Sequence, residues 1–341
     1  MIDKILKTNE LAGGGKRIEF IDLAKGVCII LVVMRHSHDF YTPFLTMLRM
    51  PLYFVLSGLF FKEYGGYVRL LVKKVNKLII PVIFFYLVFY LIREVEALLL
   101  PDMVPEDSRS LDIFRKIFYL DPPLWFLFAL FWQHLIFGAI VKSSKKWQVQ
   151  VLLVAVVSGA GWALAQYKIF NSSFIVRGMG AMPFFYFGYL LKRTPILYPN
   201  KYDRYNIAFA AVLIGIALAI YYLFDRQGID FFANVLPHPW VVIMCGCASF
   251  IVAALLICKV IKRIPVVSYI GRYSIIVLCV HYPLIPFVSK LCDKIGLHFY
   301  MSNALFTLLI CLCLIPLFVR FLPWFVAQKD LIPMPQARKA A

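Results

Sequence analysis

Residues 240–258 read WVVIMCGCASFIVAALLIC, nineteen consecutive positions without a single charged side chain. A helix needs roughly 20 mostly apolar residues to cross the ~30 Å hydrocarbon core of a bilayer. Because lipid offers no hydrogen bonds to an open backbone, an α-helix is the expected conformation of such a run. A transmembrane β-strand would instead alternate apolar and polar residues. This stretch therefore predicts a membrane-spanning helix.

Similar apolar runs recur along most of the chain on both sides of this one. The third of them is short, and we interpret it as starting earlier, in an amphipathic stretch that begins at about Arg69. The pattern predicts an all-α fold, a polytopic membrane helix bundle with about ten transmembrane helices. The candidate spans are residues 20–37, 44–61, 78–92, 122–141, 147–167, 174–191, 205–224, 240–258, 266–288 and 299–322.

The composition supports this class of fold and excludes others. Of the 341 residues, 62% are hydrophobic and only 16% are charged, with a mean hydropathy of +0.80. A soluble domain is about half apolar and about a quarter charged, so soluble, disordered and collagen-like chains are excluded. The eight cysteines mostly lie within apolar runs and lack metal-ligand spacing, so we interpret them as small apolar side chains and predict no metal site.

The basic residues orient the predicted bundle. The net charge is +18, which on a membrane protein is more typical of cytoplasmic loops than of nucleic-acid binding. With the N-terminus inside, the predicted cytoplasmic segments hold 22 Lys and Arg and the outer segments hold nine. This bias predicts that both termini are cytoplasmic. The chain then divides into a cytoplasmic segment 1–19, a transmembrane domain 20–322 and a cytoplasmic tail 323–341.

The first predicted span carries an unusual set of ionisable residues. Lys25 and His36 are eleven positions apart, about three helical turns, so they share one helix face and are separated by about 16 Å. Asp22 precedes Lys25 by three residues, and Asp39 follows His36 at the same spacing. Ionisable side chains inside a membrane are costly and usually functional. Structural alternatives stay open: Lys25 could snorkel to the inner surface, and His36 could cap the helix end.

Other predicted spans add cations and a second histidine. The ninth span places Arg272 in its inner half and His281 in its outer half. Arg49 and Arg177 fall in the outer halves of the second and sixth spans. If these side chains converge with His36, they would suit an anionic ligand.

A dense basic segment follows the second predicted span on its cytoplasmic side. This basic segment comprises Lys62, Arg69, Lys73, Lys74 and Lys77. It either reflects the ordinary positive-inside bias and contact with lipid phosphates, or it docks a phosphorylated cytosolic donor through charge-assisted hydrogen bonds.

Six short motifs follow one another along most of the chain. They are IDLAKG at 21–26, IILVVMRH at 29–36, MPLYFVLSG at 50–58, LWFL at 124–127, FFYFGY at 184–189, and GRYS with HYP between 271 and 283. This ordered set resembles acyltransferase family 3, a family of integral membrane proteins, and its fucose 4-O-acetylase-like branch. The family hallmark is an arginine followed by ten residues and a histidine, where this chain has Lys25 and His36. Arg49 occupies a position where relatives often have histidine.

This resemblance implies an enzyme that moves an acyl group, usually acetyl, onto sugar hydroxyls of surface polysaccharides or lipid-linked glycans. The expected donor is a cytosolic acyl-CoA, used as a co-substrate with no bound cofactor, and the expected location is a bacterial inner membrane. The expected partners are acyl-CoA, a carbohydrate acceptor and membrane lipids; the oligomeric state stays open. The rival hypotheses are a proton-coupled transporter of an anionic solute or glycan precursor, and a sensor or scaffold without chemistry.

The resemblance and the charge pattern together assign roles to individual residues. The predicted catalytic residues are His36, Lys25 and Asp39. His36 is expected to act as a base or as an acyl carrier, and Asp39 either orients His36 or pairs with Arg35. The phosphates of acyl-CoA are expected to contact the inner cations, and the outer cations and the second histidine to contact the acceptor or the oxyanion. The inner set is Lys25, Arg69, Lys73, Lys74 and Lys77, and the outer set is Arg49, Arg177, Arg272 and His281.

Overall fold

The computed structural model is a bundle of α-helices. The residues that it describes are 18–37, 42–99, 124–167, 174–224, 229–231, 239–297, 299 and 301–335. The helices in these ranges are α1 (Glu19–His36), α2 (Thr46–Leu59), α3 (Tyr67–Lys74), α4 (Ile80–Leu99), α5 (Trp125–Ser143), α6 (Trp147–Gln166), α7 (Phe174–Gly180), α8 (Met182–Leu191), α9 (Asn206–Phe224), α10 (Trp240–Ile261), α11 (Pro265–Arg272), α12 (Ser274–Ile295) and α13 (Ser302–Phe321).

Seven helical segments in the described ranges are long and apolar enough to cross a membrane, or eight if the bent pair α7–α8 forms one span. The chain is therefore an integral membrane protein. One segment, Tyr67–Ile92, joins α3, a π-helical turn at Val75–Ile79 and the start of α4. The third span thus begins well before residue 78, as the amphipathic stretch at Arg69 predicted.

The first two predicted spans account for most of the difference from about ten. Helix α1 has eighteen residues but includes Glu19, Asp22, Lys25 and Arg35, too many charges for an ordinary span. Helix α2, with the 3₁₀ turn that precedes it, covers only Pro43–Leu59. Both segments are helical, and by length and composition alone neither is a typical membrane span.

The predicted ninth span, 266–288, is wrong as a single helix. The chain breaks at Tyr273 (φ −111°, ψ 28°), which separates α11 from α12. Arg272 therefore ends a short helix instead of lying within a continuous span. The sixth predicted span is also bent, by 49° between α7 and α8. Hydropathy did not separate these helices, because apolar residues resume directly after each break.

Glycines let two helix pairs pack backbone against backbone. A Cβ added to Gly26 would collide with the carbonyl oxygen of Val267, and one added to Gly271 would collide with the carbonyl oxygen of Asp22. Helices α1 and α11 therefore cross without intervening side chains. Gly58 and Gly188 do the same for α2 and α8. Small residues at such crossings are typical of membrane helix packing.

Helix α1 occupies the middle of the bundle. It contacts α2, α10, α11, α12 and α13. Its residues Cys28, Ile29 and Val33 have no exposed surface. The ionisable residues at its two ends are therefore held among several helices.

Candidate active site

Two histidines from distant parts of the chain meet at the C-terminal end of α1. The Nδ1 atom of His36 lies 2.8 Å from Nε2 of His281, which belongs to α12. Their rings are almost parallel, with an angle of 4° between the planes. Tyr282 packs edge-on against His36, with ring centroids 5.6 Å apart. His281 is completely buried, whereas His36 is partly exposed.

The hydrogen bonds around this histidine pair assign the ring protons. Nδ1 of His281 lies 2.8 Å from the carbonyl oxygen of Val277, which can only accept. Nδ1 of neutral His281 therefore carries the proton, and its Nε2 is an acceptor. It follows that His36 donates its Nδ1–H to His281. The lone pair of His36 then resides on Nε2, the atom that a base or a nucleophile uses.

The opposite end of α1 carries the predicted cation. The Nζ atom of Lys25 lies 3.4 Å from an Asp22 carboxylate oxygen and 5.8 Å from the centre of the Phe60 ring. The Lys25 side chain keeps 28% of its surface exposed, against 8% for Asp22. The carboxylate offsets part of the cost of placing this ammonium within the bundle.

Tyr53 of α2 sets the relative height of α1 and α12. Its hydroxyl donates to the backbone carbonyl of Lys25 at 3.1 Å and also hydrogen-bonds to Ser274, the first residue of α12. The start of α12 therefore lies beside Lys25 of α1. Further along the two helices, His281 of α12 lies beside His36 of α1. The cation and the histidine pair are about three turns apart on one helix, as the spacing predicted.

The three predicted arginines occupy different surroundings. Arg49 is buried on α2, and its carbonyl accepts a hydrogen bond from the Cys28 thiol of α1 at 2.7 Å. Arg177 is buried on α7 with its guanidinium 5.2 Å from the Trp125 ring, close enough to interact electrostatically with Asp230. Arg272 is exposed at the end of α11 and lies over Tyr273. The break in the ninth span thus places Arg272 on a different helix from His281.

The C-terminal segment covers part of the basic segment. The carboxylate of Asp330 lies 2.7 Å from Nζ of Lys73 and 3.0 Å from Nζ of Lys77. Lys77 also donates to the carbonyl oxygen of Ala327 at 2.7 Å. Two of the lysines predicted to bind the acyl donor are therefore already paired within the protein.

Asn76, in the π-helical turn, anchors the same C-terminal segment. This fully buried side chain accepts hydrogen bonds from the backbone N–H groups of Leu331 and Ile332, both at 2.8 Å, and donates to the Ile332 carbonyl at 2.9 Å. Stacking of Phe325 on Phe84, with centroids 4.5 Å apart, adds apolar contact. The segment after α13 is therefore packed into the bundle.

Arg69 and Lys74 differ from Lys73 and Lys77. Within the part of the chain that the structure describes, neither makes a hydrogen bond or an ion pair. Nζ of Lys74 lies 5.9 Å from the Tyr64 ring, and Lys74 is partly buried. These two cations are the members of the predicted donor set that pair with no acidic side chain among the described residues, whereas Lys25 pairs with Asp22.

Sequence reasoning missed the two most specific contacts. The spacing on α1 indicated His36 but could not show that His281 touches it, 245 positions later. Asp330 was treated only as part of a cytoplasmic tail, and no local signal linked it to α3. Asp39 lies outside the described residues, and among those described no three His, Cys, Asp or Glu side chains are grouped to hold a metal ion.

Comparison with known families agrees with this geometry. A family model described as an acyltransferase domain, that of acyltransferase family 3, matches residues 18–322. The chain belongs to acyltransferase family 3. The match begins one residue before α1 and ends one residue after α13, so it includes both histidines and Lys25. No curated protein and no solved structure gives a significant match.

Proposed function

We propose that this family member is an O-acyltransferase that moves an acyl group, in the first instance acetyl, from acyl-CoA to a sugar hydroxyl. The acceptor class is a cell-surface or lipid-linked glycan, as in the fucose 4-O-acetylase-like branch. The observation that carries the proposal is the hydrogen bond between His36 and His281, inside a domain of acyltransferase family 3.

The histidine pair supports a general-base role for His36. In this role its Nε2 takes the proton of the acceptor hydroxyl. The hydroxyl oxygen bonds to the thioester carbonyl carbon, the carbon–sulfur bond breaks, and the proton passes from His36 to the CoA sulfur. A second route stays open, in which Nε2 first accepts the acyl group and then passes it to the hydroxyl.

His281 supports this chemistry as a positioning residue. Its Nε2 accepts the Nδ1–H of His36 and so keeps the lone pair of His36 on Nε2. When His36 becomes an imidazolium, the same hydrogen bond becomes charge-assisted and therefore stronger. This assigns to His281 the orienting task that the sequence had assigned to Asp39. The buried guanidinium of Arg49 is proposed to stabilise the oxyanion.

We place the donor on the side of Lys25. With both termini in the cytoplasm of a bacterial inner membrane, Lys25, Arg69 and Lys74 would face cytosolic acyl-CoA and bind its phosphates. Lys73 and Lys77 are bound to Asp330, so they are weaker candidates than the sequence suggested. Arg177, with its Trp125 contact, is proposed on the acceptor side.

The experiment compares acetyl-CoA turnover by purified wild-type protein and His36→Ala in nanodiscs, with free thiol measured as the product. We expect thiol release by wild type and its loss in His36→Ala at an unchanged unfolding temperature. His134→Gln is the matched control, because His134 is a buried imidazole whose Nδ1 lies 2.7 Å from the Leu130 carbonyl oxygen.

Two outcomes would contradict the proposal. Equal thiol release by wild type and His36→Ala would remove His36 from the chemistry. Absence of acyl-CoA binding, together with uptake of an anionic solute into liposomes, would favour the transporter instead. Family membership weighs against that second result, since the matched domain is an acyltransferase domain.

A further inference from the structure

A groove of about 780 Å³ lies on the side of the bundle formed by α8, α9 and α10, and the turn at 195–202 closes one end. Its walls are mainly apolar, and its polar residues are gathered at the turn. The apolar lining includes Phe187, Ile196, Phe209, Val212, Val252 and Leu256, and the polar lining includes Asn200, Lys201, Tyr202 and Asn206.

The groove lies along two membrane-spanning helices. Both α9 and α10 are long and apolar enough to cross a bilayer. Helix α9 packs mainly against α10, and its residues Phe209 and Val212 are 53% and 62% exposed. A surface this apolar at the depth of a span is in contact with lipid chains.

The polar end of the groove is rigidly built. Lys259 is almost completely buried, and its Nζ donates to the carbonyl oxygens of Ile196 and Tyr198 at 3.0 and 2.6 Å. The same atom binds the Asp203 carboxylate at 2.6 Å. The Asn200 side chain donates to the carbonyl oxygens of Pro195 and Tyr198, so the Tyr198 carbonyl accepts from both Asn200 and Lys259. The turn that carries Lys201 is therefore held in place before any ligand binds.

The charge at this end is positive. Lys201 is exposed and lies 4.9 Å from the Tyr202 ring, and within the described residues it makes no hydrogen bond or ion pair. The nearby acid Asp203 is already paired with Lys259. Lys201 is therefore the cation that an anionic group at this end of the groove would meet.

We propose that the groove binds an anionic glycerophospholipid, with acyl chains along the apolar walls and the headgroup phosphate at Lys201. A glycerophospholipid joins apolar chains to a phosphate, and the groove places an apolar wall and a cation end to end. A cation near the membrane surface contributes about 1 kcal/mol to binding an anionic lipid, which corresponds to roughly fivefold in affinity.

The test is native mass spectrometry of the full-length protein after delipidation and exposure to equal amounts of phosphatidylglycerol and phosphatidylcholine. Wild type is expected to retain phosphatidylglycerol preferentially. Lys201→Glu should bind it at least roughly fivefold more weakly. Ala248→Trp, which fills the groove, should reduce retention of both lipids. Lys142→Glu is the control, because Lys142 is also exposed and lies at the end of α5, outside the groove.

Several results would overturn the inference. Equal retention of the two lipids by wild type, or equal losses in Lys201→Glu and Lys142→Glu, would show that the groove does not recognise an anionic headgroup. If glycerol phosphate alone protects the protein against thermal unfolding as much as phosphatidylglycerol does, the ligand is a soluble phosphate compound. A change of oligomeric state in Ala248→Trp would indicate that a second copy of the chain occupies the groove.

Discussion

The histidine pair and the basic segment are both clusters of ionisable side chains, yet they are held in opposite ways. His36 and His281 hydrogen-bond to each other, and the Val277 carbonyl oxygen accepts the Nδ1–H of His281. Lys73 and Lys77 instead bind a carboxylate that arrives from the far end of the chain. In the first region the contacts prepare a reactive lone pair, and in the second they neutralise charge. A cluster of charges near a membrane is therefore not in itself a binding site.

The largest expected effect is at His36. Replacing it by alanine removes the Nε2 atom that we propose exchanges the proton, so we expect thiol release from acetyl-CoA to fall about 10²- to 10⁴-fold. Initial rates at saturating acetyl-CoA give the measurement, with His134→Gln measured beside it. A His36→Ala rate within threefold of wild type would place the chemistry elsewhere in the bundle.

The next effect separates positioning from packing at His281. His281→Phe keeps an aromatic ring but loses the acceptor for His36, so we expect kcat to fall roughly tenfold. His281→Gln can still accept that hydrogen bond through its side-chain oxygen and should recover part of the rate. If the two variants have equal rates and equal unfolding temperatures, the hydrogen bond has no role in the reaction.

A smaller effect tests which cations of the basic segment bind acetyl-CoA. Lys74→Gln should raise the KM for acetyl-CoA roughly threefold to fivefold without changing kcat, the size expected for one partly exposed ion pair. Lys142→Gln, at the end of α5, should leave KM unchanged. An increase in KM for Lys73→Gln that matches the one for Lys74→Gln would show that Asp330 does not keep Lys73 from the donor.

The smallest effect concerns the C-terminal segment. Burial would raise the pKa of Asp330, but hydrogen bonds from Lys73 and Lys77 outweigh it and hold that pKa below its usual value. The carboxylate therefore stabilises the fold above its unfolded pKa of about 3.9, and this stabilisation is lost as the pH falls through the lower folded pKa. Asp330→Asn should cost up to ~1 kcal/mol at pH 7 and less at pH 2.5.

Thermal unfolding at the two pH values measures this difference. Glu63→Gln is the control, since Glu63 pairs with Lys145 on the surface, where both side chains are more than half exposed. A loss of stability in Asp330→Asn that is the same at both pH values would mean that the charge of Asp330 is not what holds the segment.

The apolar runs and the helical spacing of the sequence predicted most of the helices. Helix occurs in each of the ten predicted spans, but 174–191 and 266–288 are each divided between two helices, and seven or eight segments in the described ranges are long and apolar enough to cross a membrane. The eleven-residue spacing puts Lys25 and His36 on one face of α1. The breaks at Tyr273 and before Met182 were not predicted, because helix and apolar residues resume directly after each one. Contacts such as His36–His281 and Lys73–Asp330 join residues about 250 positions apart. The periodicity of a single sequence predicts local structure only, so it could not predict these contacts.

The span of 245 residues between the two histidines also has a consequence for biosynthesis. At ~5–20 residues per second, a ribosome needs on the order of tens of seconds after His36 to reach His281. During that interval the imidazole of His36 lacks its partner. Asp22 and Lys25, three residues apart, can neutralise each other at once. In α1, Lys25 therefore has the Asp22 carboxylate as its counter-ion as soon as the helix forms. The histidine pair can form only after almost the whole chain has been synthesised.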